Sequence, residues 1–195
     1  AHLSVREIPW KKLATRWLYV SSLGGNLPLL RALFTFAREK RIRVGWNPGA
    51  GELSSGLRAL SPLVRETDVL ILNREEAGMR AQGERDIKRL QRALVPSFRN
   101  TVVVTDAERG AYYWDRDQFL HVKGKKVKVL NSTGAGDAFG SGFISGILRW
   151  RDPVRALQLA TLNAAGTIQE MGAKRGLLTR WPTSRALAQV KVTNM

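Results

Sequence analysis

The sequence predicts an α/β domain built on a mainly parallel sheet with helices on both faces, and three observations carry that expectation. Short apolar runs rich in Val, Ile and Leu alternate along the chain with stretches whose apolar residues recur at helical spacing. Single strands separated by helices of this length imply parallel pairing, because parallel neighbours need a helical crossover. The length of 195 residues, 44% of them hydrophobic, suits one domain with a buried core and leaves no surplus for a second large unit.

Taken in order, Trp17 to Ser21 reads as a buried strand ended by Gly24 and Gly25. Leu29, Leu30, Leu33, Phe34 and Ala37 then keep helical spacing as far as the polar Arg38 to Lys40. Ile42, Val44 and Trp46 alternate as a second strand, closed by Asn47-Pro48-Gly49. A helix is expected from Ser54 to Leu63, a strand from Asp68 to Leu72, and helices over Arg74 to Ala81 and Asp86 to Leu94. Thr101 to Thr105 gives a further strand. Ala111 to Val129 reads as short strands with turns at Asp115 to Asp117 and Lys123 to Lys125, and Val127 to Leu130 is strand-like before the helices that follow Gly134. In such sheets ligands bind beyond the carboxyl ends of the strands, which directs attention to the loops after Leu72, Thr105 and Leu130.

Composition removes several classes of function. No apolar run reaches the roughly 18 residues that cross a bilayer, and Ala1 to Trp10 lacks the apolar middle of a signal peptide. With no cysteine there is no disulfide, thiolate metal site or cysteine nucleophile, and His2 and His121 are the sole imidazoles. Cytoplasm is the default compartment for such a chain. The 32 Lys and Arg against 16 Asp and Glu leave a formal charge of +16 and a pI near 11.2. That excess attracts polyanions, whether nucleic acid, an anionic surface or a small phosphorylated ligand. It is spread over Arg38 to Arg43, Arg80 to Arg99, Lys123 to Lys128 and Lys174 to Arg185 rather than gathered in a tail. Lys88, Arg89 and Arg92 on a helix read first as a solvated face.

The chemistry concentrates in Asn131-Ser132-Thr133-Gly134-Ala135-Gly136-Asp137, a turn of small residues between a strand-like segment and an apolar helix. Gly134, Ala135 and Gly136 leave room for backbone N–H groups to converge on an anion at a helix start, where the helix dipole helps. The pattern is neither a Walker loop nor a dinucleotide G-x-G-x-x-G. Asp137 is the single carboxylate of the turn. It is either a helix N-cap, a role contributing about 1 kcal/mol, or a general base that deprotonates an acceptor hydroxyl.

The run NSTGAGDAFGSGF closely resembles the second signature of the ribokinase-like, or PfkB-type, carbohydrate kinases, D-T-x-G-A-G-D. Asn73-Arg74-Glu75-Glu76 resembles the family's N-x-x-E motif, and Thr105 to Gly110 its T-x-G-x-x-G nucleotide loop. Asn163-Ala164-Ala165-Gly166 and Met171-Gly172-Ala173 look like the helix and loop beside the adenine and the monovalent-cation site. The resemblance runs from about Trp17 to Leu178. It implies a ribokinase-like fold and an ATP-dependent kinase of a sugar or nucleoside hydroxyl, with Asp137 as base and Gly134, Ala135 and Gly136 as anion hole. By the same resemblance Asn73 and Glu76 would organise Mg2+ and the phosphates through water. Thr105 and Gly110 would line the nucleotide, Asn163 would lie near the adenine, and Asn131 and Thr133 near a K+-like ion.

Three departures stand out. Asn131 replaces the usual Asp, removing a negative charge beside the cation position. Ala107 replaces the middle glycine of the nucleotide loop, which matters if the backbone there needs a positive φ. The amino-terminal part that carries most sugar contacts and the lid is unmatched, so a complementing segment, or a second copy in a homodimer, is expected to cover the sheet edge. The competing expectation is a catalytically inactive, kinase-derived basic protein that is structural or associates with RNA.

Overall fold

The computed structural model describes residues 3–81, 83–94 and 101–195, apart from the Leu57 side chain; His2 and Arg99 lie outside the described residues. The chain divides into two compact units, Ala1–Val102 and Val103–Met195.

In the first unit, short 3-10 turns at Val5–Glu7 and Trp10–Lys12 precede β1 (Trp17–Val20), α1 (Leu27–Lys40), β2 (Arg43–Trp46), α2 (Ala50–Leu53), α3 (Leu57–Arg65), β3 (Val69–Asn73), α4 (Arg74–Arg80) and α5 (Ile87–Leu94). Strands β1, β2 and β3 pair in parallel, with Trp17 opposite Arg43, Val20 opposite Trp46 and Gly45 opposite Val69. The apolar stripe of α1 buries Leu29, Leu30, Phe34 and Ala37, and Phe34 meets Trp46 edge-to-face at 5.5 Å. Asn26 starts that helix by accepting the Leu29 N–H at 3.2 Å. Val69 to Leu72 are buried without alternation, the pattern of a parallel strand covered on both faces.

The helix expected from Ser54 to Leu63 is α3, which starts three residues later at Leu57, and the short α2 before it lies outside the expected span. Gly56 at φ +81° is left-handed backbone that cannot continue a helix, so α2 ends at Leu53 and α3 starts at Leu57. Glu52 on α2 is fully buried and holds the loop after β1: its carboxylate accepts from Ser22 Oγ at 2.7 Å and from the N–H groups of Leu23, Gly25 and Gly49 at 2.7–2.9 Å. Burial pushes this carboxyl up, but the hydrogen bonds from Gly25, Ser22 and Leu23 outweigh burial and hold it below its ordinary value.

The boundary between the units falls within β4 (Thr101–Thr105), which matches its expected span. The second unit continues with β5 (Ala111–Trp114), β6 (Phe119–Val122), α6 (Ala135–Trp150), α7 (Pro153–Thr167), α8 (Ser184–Ala188) and β7 (Val192–Asn194). Strands β5, β6 and β7 are antiparallel neighbours. Asp115 closes the β5–β6 hairpin by accepting from Asp117 and Gln118 N–H at 2.9 and 2.8 Å. Helices α6 and α7 form an antiparallel pair whose closeness depends on glycine. A Cβ on Gly142 would lie 3.0 Å from Ala160 Cα, and one on Gly146 2.6 Å from Ala156 Cα.

Val127 to Leu130 is not a strand. Lys128 interrupts it, Val129 and Leu130 are more than half exposed, and its end turns to α7 instead: Leu130 and Asn131 N–H donate to Ile168 O at 2.8 and 3.3 Å. That anchor sets where the following turn meets α6. Among the described residues, no helix is long and apolar enough to cross a membrane.

Candidate active site

The carboxyl ends expected to carry ligand loops divide into two helix starts. In the first unit β3 runs directly into α4. Asn73 Oδ1 accepts the Glu76 N–H at 2.8 Å, and Glu76 Oε2 accepts the Asn73 N–H at 2.8 Å, a reciprocal capping box. Glu76 is half-buried, and burial, the largest influence, pushes its carboxyl above the ordinary value; Glu52 and Glu75 add to the rise, while hydrogen bonds from Asn73 and Asn47 oppose it.

In the second unit α6 begins at Ala135 with Gly134 as its N-cap, at φ +83°. A Cβ on Gly134 would stand 2.5 Å from Ala173 O, so close passage of the 171–173 loop requires glycine here. Since the N-cap has no side chain, none caps the first turn. The Ala135 N–H donates to Ser132 O at 3.2 Å, while those of Gly136 and Asp137 have no acceptor among the described residues. Asp137 is the third residue of the helix and not its N-cap. It is exposed, and its carboxylate has no hydrogen-bond partner among the described residues; only its backbone carbonyl is engaged, by Ser141 Oγ at 2.7 Å. Gly136 differs from Gly134: a Cβ there would meet nothing within 4 Å, so the fold itself does not demand glycine.

Ala135 and Gly136 line a cleft of about 560 Å³ together with Thr105, Gly110, Lys125, Lys126, Phe139 and Ala164. Its volume is that of small-molecule sites in general. The loop after β4 is tied backbone to backbone to the segment after β6. A Cβ on Gly110 would lie 1.9 Å from Val122 O, and one on Gly124 2.4 Å from Glu108 O. Ala107 adopts φ +46°, so the middle position of this loop does call for positive φ.

The sequence-predicted residues therefore separate. Thr105, Gly110, Ala135 and Gly136 share one cleft, and Gly134 and Asp137 flank its helix start. Asn163 is buried and pins α6 to the loop after α7: its Nδ2 donates to Ala138 O at 2.8 Å, and its Oδ1 accepts the Leu178 N–H at 2.9 Å. Asn131 Oδ1 accepts the Thr133 N–H at 2.9 Å, closing the turn before α6. Asn73 and Glu76 belong to the first unit. No group of three or more His, Asp or Glu side chains suited to a metal occurs among the described residues. Sequence reading missed Gly124, Lys125 and Lys126 as parts of the cleft, because a lysine-rich stretch without periodicity gives no sign that a glycine within it packs against a loop 14 residues earlier.

N–H donors without a partner among the described residues at a helix start, beside a cleft lined by two lysines, are an arrangement that suits a chain of phosphates. The comparisons with known proteins name the family. Residues 26–180 match the model of the pfkB family carbohydrate kinases, and the chain belongs to that family. It is 29% identical over 159 residues to a deoxyribokinase of Salmonella typhi, covering 80% of this chain and 51% of that one. It is likewise 29% identical over 170 residues to a cytidine kinase of Thermococcus kodakarensis, covering 85% and 59%. A proposed ribokinase II from E. coli, solved in complex with ATP and Mg2+, shares the fold with a TM-score of 0.77 and 20% identity, covering 90% of this chain and 60% of that one. The chain spans about half the length of the curated relatives it matches.

Proposed function

We propose that this chain forms the nucleotide-holding and phosphoryl-transfer domain of an ATP-dependent kinase whose acceptor is a hydroxyl of a small sugar or nucleoside. One observation carries the reading: the first turn of α6 presents two unpartnered N–H groups and an exposed, unpartnered carboxylate at one helix start, with the adjoining residues lining a cleft that also contains Lys125 and Lys126.

The Asp137 carboxylate takes the proton of the acceptor hydroxyl as that oxygen bonds to the terminal phosphorus of ATP and the bond to the leaving diphosphate breaks. The N–H groups of Gly136 and Asp137 receive the negative charge that spreads over the transferred phosphoryl oxygens, aided by the positive end of α6. Thr105, Gly110 and Ala164 line the nucleotide, and Lys125 and Lys126 offset phosphate charge. Bound Mg2+ would neutralise and orient the phosphates. On the family resemblance, Asn73 and Glu76 are the residues for Mg2+ through water, and Asn131 and Thr133 those for a monovalent ion.

The test is Asp137→Asn in the complete protein, assayed with ATP and a panel of sugars and nucleosides. Transfer is expected to fall by about two to four orders of magnitude, the usual share of a general base, while ATP affinity is retained. Unchanged turnover would remove Asp137 from the reaction. Loss of ATP binding with intact fold would assign it to nucleotide holding.

A further inference from the structure

A groove of about 380 Å³ lies wholly within the second unit, between α6 and the loop that precedes α8. Ser141 and Ser145, four residues apart and hence on one stripe of α6, line it from the helix; Leu178, Arg180 and Trp181 line it from the loop. It shares no lining residue with the cleft at the start of α6. Trp181 is 49% exposed and Leu178 42%, although side chains as large as Trp dominate cores and interfaces. Trp181 meets Trp150, the last residue of α6, edge-to-face at 5.5 Å. The Arg149 guanidinium lies over the Trp181 ring at 4.5 Å and over the Trp150 ring at 5.7 Å. Two indoles and a guanidinium thus hold one another at the rim of the groove.

The charge around these rings has one sign. Across residues 171–195 every charged side chain is Lys or Arg. Arg149, Arg151, Arg180 and Arg185 are exposed and form no ion pair among the described residues, in contrast to Arg38, Arg43, Arg89, Arg109 and Arg155, each of which meets an acid within 4 Å.

We propose that this surface binds single-stranded nucleic acid, one base entering the groove against Trp181 while the phosphates beside it meet Arg149 and Arg180. Unpaired bases stack on exposed aromatic rings whatever their sequence, and the groove, at the small end of small-molecule sites, has room for one such ring. A guanidinium over an aromatic face keeps its N–H donors for phosphate oxygens at the edge of the ring. Charge and rings together select the ligand: an acidic peptide would answer the arginines and leave the indoles without a partner, and a duplex keeps its bases stacked on one another.

The test is the fluorescence anisotropy of a labelled oligouridylate of about 12 nucleotides, titrated with the complete protein at physiological ionic strength. Saturable binding is expected, and excess ATP is expected not to displace it. Trp181→Ala is expected to weaken that binding by at least about fivefold, the share of one stacked base, with ATP affinity unchanged. A strand of the same length without bases is expected to bind the unaltered protein as weakly. Arg149→Gln/Arg180→Gln is expected to lower the slope of log affinity against log salt by about 1.4, the value for two phosphates of a single strand. Absence of binding overturns the proposal, as does an unaltered affinity in Trp181→Ala or an abasic strand that binds as well as oligouridylate. Displacement by ATP would assign the strand to the nucleotide cleft, and equal competition by polyglutamate would reduce the surface to charge alone; either result also overturns it. Should Trp181→Ala fold poorly, the comparison of abasic strand with oligouridylate on the unaltered protein decides by itself.

Discussion

The starts of α4 and α6 place a carboxylate at the same helical position and use it in opposite ways. In α4 the N-cap is Asn73 and the third helical residue is Glu76, and the two side chains close on each other's N–H groups. In α6 the N-cap is Gly134 and the third residue is Asp137. With no N-cap side chain to reciprocate, and with Asp one methylene shorter than Glu, the turn stays open: two N–H donors and the carboxylate have no protein partner among the described residues. A closed turn commits its donors to the fold, worth about 1 kcal/mol. An open one forgoes that stability and keeps the donors for a ligand.

The largest test of this contrast is the loss of transfer expected for Asp137→Asn, which should leave the denaturation midpoint where it was. Next come the two glycines of the open turn, which the structure separates. Gly134→Ala is expected to destabilise the protein by roughly 3 kcal/mol, about 1–2 of that from left-handed backbone and the rest from overlap with Ala173. Gly136→Ala, whose methyl meets nothing of the protein, is expected to gain up to about 1 kcal/mol of helix propensity and to lose ATP affinity. Equal effects of the two substitutions, read by denaturation and by nucleotide titration, would erase the distinction between a glycine the fold needs and one the ligand needs.

The closed turn has its own signature in pH. Because the folded state raises the Glu76 pKa, it binds that proton more tightly than the unfolded chain does. Between the ordinary value and the raised one the native state holds more protons, so stability falls as pH rises through that window and is level above it. Glu76→Gln, which keeps an oxygen to accept the Asn73 N–H, is expected to flatten the slope in denaturant titrations across mildly acidic pH. A slope that persists assigns the titration elsewhere.

Much of this was legible in the sequence because it depends on local pattern. The parallel strands and crossover helices of the first unit follow from apolar periodicity, and Gly134 to Asp137 follows from small residues opening an apolar helix. The rest depends on contacts between distant segments. Nothing local to Gly56 announces that its backbone delays to Leu57 the start of the helix expected from Ser54. No local pattern marks Glu52, which is buried where four donors from two loops converge on it. Val127 to Leu130 has strand composition, but the carbonyl of Ile168 takes the N–H groups of Leu130 and Asn131. Asn163 has both ends of its amide engaged across helices, a pinning role that no spacing rule reveals.

The smallest expected effect concerns the loop that shares a cleft with the open turn. Ala107 sits at φ +46°, where a side chain costs roughly 1–2 kcal/mol relative to glycine. Ala107→Gly relieves that strain but also frees the unfolded chain, which costs about 0.4–1 kcal/mol. The net gain is therefore about 0.5 kcal/mol, visible as a small upward shift in the denaturant midpoint. Gly110 in the same loop is fixed by backbone contact with Val122, so the loop's position should not change, and ATP affinity should rise slightly or stay level. A destabilised Ala107→Gly variant would mean that the positive φ is relaxed in solution, and the 105–110 loop would then owe its shape to Gly110 and Gly124 alone.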